Sequence, residues 1–229
     1  MYLTTDKLDP NRQNEVENFD QYVLDILPKD YLHFLREFGT GEYCGEVYIS
    51  YPDNQIIPST FKDYTDFWQF DDMYSVDDLL KSTQIGSTVD GDIICITENR
   101  IGKIFILPRH SMEIISFTTF EDTIKSFIME ENSIIYFDPS FDFKQEQISL
   151  IKSDGGGLID ILPIHEKFLE RFSYDFIINE TTQPKYFLKK IGGWVIFDLI
   201  SKNSIYVKFQ NQHINDVLPI INFMKKYTE

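Results

Sequence analysis

Residues 85–127, IGSTVDGDIICITENRIGKIFILPRHSMEIISFTTFEDTIKSF, leave the fewest options open to the fold. Asp90-Gly91 predicts a tight turn leading through Asp92 into an apolar run, because glycine takes positive φ without a Cβ penalty. Residues 93–97 then read as a strand buried on at least one face, and 99–102 as a second turn. Residues 103–107 form the returning strand and 112–117 a third. Thr118 or Thr119 is placed to cap a helix, with Glu121 or Asp122 three residues on as a capping box. Phe120, Ile124, Phe127 and Ile128 give that helix one apolar face. An antiparallel meander closed by a helix is therefore expected.

Upstream, Phe19, Tyr22, Val23 and Ile26 fall on one side of a helix. Pro28 suits the start of the next, with Tyr31, Leu32, Leu35 and Phe38 as its buried stripe and Gly39 as its stop. Val47, Ile49 and Tyr51 alternate as in a half-buried strand. Residues 1–13 read as a loose arm. In 52–83, acids (Asp53, Asp63, Asp66, Asp71, Asp72, Asp77, Asp78) interleave with aromatics. Phe61, Tyr64, Phe67 and Trp68 would share one face of a helix lying on the sheet, acids outward. The other reading is a protein-binding surface, where carboxylates steer a basic partner and a few aromatics anchor it. Its candidate residues are Asp63, Tyr64, Asp66, Trp68, Asp71, Asp72, Asp77 and Asp78.

Of the net charge of −16, residues 1–131 hold ten Lys+Arg against twenty-five Asp+Glu, and residues 132–229 eleven against twelve. The first half is thus at −15 and the second at −1. Such acidity repels nucleic acid and anionic membrane and speeds encounter with a basic protein; plain solubility would explain it as well. With 42% hydrophobic residues, real cores are affordable and wholesale disorder is excluded. No run of about eighteen apolar residues occurs, so no membrane span is expected. The amino terminus lacks the basic patch and apolar run of a signal peptide. Cys44 and Cys95 offer neither a disulfide framework nor metal spacing, which fits reduced thiols in a cytoplasm. Cys95 is an expected core thiol, Cys44 a more exposed one.

The four histidines show no ligand spacing, and the glycine run at 155–157 lacks the Lys-Ser/Thr of a phosphate loop. No cofactor and no metal are expected. The abundance of carboxylates leaves an acid/base pair open by residue type alone.

Several features in order resemble the SUKH superfamily, the Smi/Knr-like fold of cell-wall regulators and bacterial immunity proteins. They are Leu27-Pro28-Lys29-Asp30-Tyr31 with Phe34-Leu35 and Phe38-Gly39, then Ile85-Gly86, Gly91-Asp92-Ile93-Ile94, Gly102-Lys103-Ile104-Phe105 and Thr119-Phe120-Glu121-Asp122. The resemblance implies an α+β fold over 14–131, a sheet meander packed by amino-terminal and closing helices. It also implies non-enzymatic binding of a cognate toxin. A basic toxin, such as a nuclease, would suit the acidity; no nucleic-acid or membrane partner is expected. The alternatives are a wall-metabolism enzyme using a carboxylate pair and a scaffold adaptor of cell-wall synthesis.

Residues 130–133 read as a linker and 136–143 as an extended exit. Residues 145–229 then form a smaller α+β domain. Asp160-Ile161-Leu162-Pro163 repeats Asp25-Ile26-Leu27-Pro28, and a helix, a strand pair about Lys202-Asn203 and a terminal helix follow. Asn215 would cap that last helix, with Val217, Leu218, Ile221 and Met224 inward. This is either a shortened second copy of the first domain or a generic α+β appendage.

Overall fold

The computed structural model describes every residue except 64, 71–72, 129–133, 153–155 and 229. The chain divides into two compact units: Met1–Tyr2 with Leu8–Ser140, and Leu3–Lys7 with Phe141–Glu229. Both are α+β, each built on a mostly antiparallel sheet.

The first unit takes Tyr2 of β1 (Tyr2–Leu3), a strand that falls across the division, then runs α1 (Arg12–Glu17), α2 (Gln21–Ile26), α3 (Lys29–Phe38), β2 (Gly41–Tyr43) and β3 (Val47–Asp53). It continues through α4 (Ile56–Phe61), α5 (Val76–Leu80), β4 (Ser82–Thr88), β5 (Ile93–Thr97), β6 (Ile104–Leu107), β7 (Ile115–Phe117), α6 (Phe120–Lys125) and β8 (Tyr136–Pro139). The strand order is β1-β8-β2-β3-β4-β5-β6-β7. The expected meander is its β5-β6-β7 end, in register Cys95↔Phe105↔Ser116. Because side chains alternate along a strand, Cys95, Phe105 and Leu107 share a face, where they cluster with Ile57, Trp68, Tyr74 and Leu79. Their neighbours Ile94, Ile96, Ile104 and Ile106 are buried as well, so both faces are covered.

Pro28 precedes α3, whose missing first N–H partner makes proline harmless there. Gly39 ends it at φ +80°. Phe34 of α3 meets the rings of Tyr43, Phe120 and Phe137. Asp30 crosses to α6: its Oδ2 accepts the N–H groups of Phe120 (2.7 Å) and Glu121 (3.2 Å). Thr119 caps the same helix, accepting from the Asp122 N–H.

One expectation gives way here. Residues 1–13 are not a loose arm, since Thr4 and Thr5 are buried and Leu3–Lys7 belong to the second unit. The exit expected at 136–143 is extended: it begins as β8, an inner strand paired with β2, and the first unit ends at Ser140. The linker expected at 130–133 lies outside the described residues.

The second unit runs β9 (Phe143–Ser149), α7 (Ile161–Arg171), β10 (Phe176–Ile178), β11 (Lys185–Leu188), β12 (Gly193–Phe197), β13 (Ser204–Gln210) and α8 (Ile214–Lys225). Strand order is β10-β11-β12-β13-β9. Helices α7 and α8 cover one face through Ile161, Ile164, Phe168, Val217, Ile221 and Met224. On the other face Phe176 stacks on Phe187 at 4.3 Å, and buried Lys185 lies over the rings of Phe187 and Trp194. Buried Gln210 accepts the Thr5 hydroxyl proton and donates to the carbonyls of Lys7 (2.8 Å) and Phe141 (3.1 Å). In α8, His213 rather than Asn215 occupies the cap, and Leu218 faces solvent while Ile220 turns inward.

Both units place a helix before an antiparallel meander and a helix after it. They differ in strand number, and the added strand joins the first meander strand in one (β8 on β2) and the last in the other (β9 on β13). The repeated tetrapeptide does different work in each. Asp25 and Ile26 close α2 and Pro28 precedes α3, whereas Asp160 caps α7 and Pro163 lies in its first turn.

Candidate functional site

Segment 54–81 leaves the sheet after β3 and returns at β4. Asp53 starts it by accepting the N–H groups of Gln55 (2.8 Å) and Ile56 (3.1 Å) in front of α4. The helix expected across 61–68 does not form, because α4 ends at Phe61 and the chain then turns. Trp68 is therefore placed by the loop. It is only 4% exposed, packs between Phe61 and Phe67, and donates its indole N–H to the Pro108 carbonyl at 2.8 Å. A buried, satisfied indole is no surface anchor, so Trp68 leaves the candidate list.

Asp78 leaves it too. At 4% exposure it completes a reciprocal capping box, its Oδ2 accepting from the Ser75 N–H (2.9 Å) and hydroxyl (2.7 Å). Burial alone would raise its carboxyl; hydrogen bonds from Ser75 and Asn99 and the nearby Arg100 charge outweigh that and hold it below the ordinary value. Asp77 is exposed and paired with Lys81 at 3.0 Å, a surface pair of small energetic weight. Asp63 and Asp66 are exposed and have no ion-pair partner among the described residues. Tyr64, Asp71 and Asp72 lie outside the described residues.

The Asp90, Gly91, Asp92 turn is present between β4 and β5. Gly91 sits at φ +91°, and its N–H reaches the Thr88 carbonyl at 3.0 Å. Asp92 accepts the Arg109 N–H at 2.8 Å, and the Arg109 side chain crosses so near Gly91 that a Cβ there would meet its Cδ at 2.9 Å.

Sequence reasoning missed the connection between β6 and β7. Arg109, His110, Ser111 and Met112 come up beside Asp66 and Phe67 around an open depression of about 470 Å³. The link is a parallel bridge, Gln69↔Glu113, with the Gln69 N–H on the Met112 carbonyl at 2.8 Å. Phe67 is 46% exposed, Met112 49% and Ile115, on edge strand β7, 51%. The sequence assigned Met112 to the third strand, expected over 112–117, but that strand starts only at Ile115 and Met112 falls in the connection before it.

Cys95 is fully buried and its thiol is pushed well up by that burial. Cys44, expected to be more exposed, is also buried, with Sγ 3.6 Å from the Tyr136 carbonyl. Glu46, between β2 and β3, is raised by burial and by Asp90 and Glu42; it does not line the depression at Asp66. Among the described residues no three His, Cys, Asp or Glu side chains are grouped to hold a metal, and no helix is long and apolar enough to cross a membrane.

The architecture is α+β in two units, with half-exposed apolar side chains and the Asp66 carboxylate, without an ion-pair partner among the described residues, beside one sheet edge. Comparison with family models, curated proteins and solved structures finds no match to this chain.

Proposed function

We propose that this chain is a non-enzymatic protein-binding module of the cytoplasm, an immunity protein that occupies and neutralises a cognate basic toxin. The observation that carries the reading is the Asp66 depression, where Phe67 and Met112 face solvent beside that carboxylate. Large apolar groups left in water mark contact surfaces; Arg109 on the same rim offsets Asp66 locally, so attraction of a cationic partner rests on the charge of the surrounding first half. The −15 of the first half extends that attraction beyond the contact itself. The resemblance of residues 14–131 to the immunity-protein fold points the same way.

The test is association with the basic domain of a secreted protein encoded beside this one. Asp63→Lys with Asp66→Lys is expected to slow association and flatten its salt dependence. Phe67→Ala with Met112→Ala is expected to speed dissociation about tenfold or more. Rates unchanged in both variants would sink the reading.

A further inference from the structure

A second cavity, of about 380 Å³, lies wholly within the second unit, between the end of α7, the segment after it, and α8. Its accessible apolar wall is Phe172 and Pro219, with Leu188, Ile191 and Ile220 lining it as almost fully buried core residues. Four donors stand on its lining: the Arg171 guanidinium, the Ser173 and Tyr174 hydroxyls and the Lys190 ammonium. Arg171 is held by ring faces alone, 5.6 Å over Phe172 and 5.5 Å over Phe223. Stacking of that kind fixes the guanidinium plane while leaving its N–H edges for another group. Tyr174 is steadied edge-on against Tyr186 at 4.8 Å.

Two carboxylates also line the cavity, and both are occupied. Asp175 accepts the Lys189 N–H at 2.7 Å; Asp216 faces His213 at 3.5 Å and Lys190 at 3.9 Å. Among the described residues the exposed Arg171 guanidinium has no carboxylate partner. Volume, apolar wall and a few convergent polar groups match a small-ligand site.

We infer that this cavity binds a carboxylate carried on an apolar body of about phenyl size, the acid on Arg171 and the body against Phe172 and Pro219. A free organic acid and the carboxyl-terminal residue of a polypeptide share that chemistry. The inference is independent of the toxin reading, since it uses none of the first unit.

The test titrates the full chain with N-acetylphenylalanine, its neutral amide, and a hexapeptide ending in phenylalanine, reading amide NMR shifts. The acid is expected to saturate with shifts confined to 171–175, 188–191 and 216–220, and the amide to bind about tenfold more weakly. Arg171→Gln should weaken the acid by a similar factor; Pro219→Glu, on an exposed position of the lining, should abolish binding of a chain whose spectrum stays dispersed. A hexapeptide binding tighter than the acid assigns the source as a polypeptide end, and equal binding assigns a free acid. Amide equal to acid, an unaffected Arg171→Gln, or no saturable shifts at millimolar probe would overturn the inference.

Discussion

Asp30 shows how far one side chain can reach. It sits in the first turn of α3, yet its carboxylate takes two N–H groups at the start of α6, ninety positions on. Asp30→Ala is expected to destabilise the first unit by about 1–2 kcal/mol, the size of a lost helix cap with charge, seen as a lower denaturation midpoint. Asp78 supplies a pH signature. Its folded-state value lies below that of the unfolded chain, so its contribution is complete above about pH 4 and disappears as pH falls through the folded value. The melting-temperature gap between wild type and Asp78→Asn should therefore narrow below about pH 4; a gap constant down to pH 2.5 would refute this. Both residues were visible in the sequence, one within a helix motif and one within an acidic run. Neither role was, because a cap is defined by which N–H the chain delivers to it.

At the scale of elements, the sequence was most informative where a single physical rule dominates. The turn at Gly91, the stop at Gly39 and the cap at Thr119 each follow from one residue's backbone or hydrogen-bonding preference. The 61–68 segment misled because its aromatic spacing suits a helix. The structure instead buries Trp68 by a loop that gives its N–H to Pro108. The repeated tetrapeptide misled similarly, since proline is tolerated both before a helix and inside its first turn. One strand contact is unusually unforgiving: a Cβ on Gly193 would stand 2.0 Å from the Lys208 carbonyl oxygen on β13. Gly193→Ala is expected to cost about 3 kcal/mol, with hydrogen exchange accelerated along β12 and β13.

For the molecule as a whole, the order of expected elements foresaw two α+β parts and the charge count an acidic first half, but not how the chain is shared between them. Alternation and periodicity are local signals, and nothing local marks Leu3–Lys7 as part of the second unit. Starting the chain at residue 8 removes the Thr5 and Lys7 partners of Gln210 and the Asp6–Lys189 ion pair. The second unit should lose about 2–4 kcal/mol, measured as earlier urea unfolding of Trp194 fluorescence. Unchanged unfolding would show those contacts to be inert.

That sharing has a consequence for biosynthesis. Thr5 leaves the ribosome 205 residues ahead of Gln210, so its segment waits through the synthesis of both intervening sheets before its seat exists. A bulky insertion beside Thr5 would accordingly disturb β13, a strand made long after it.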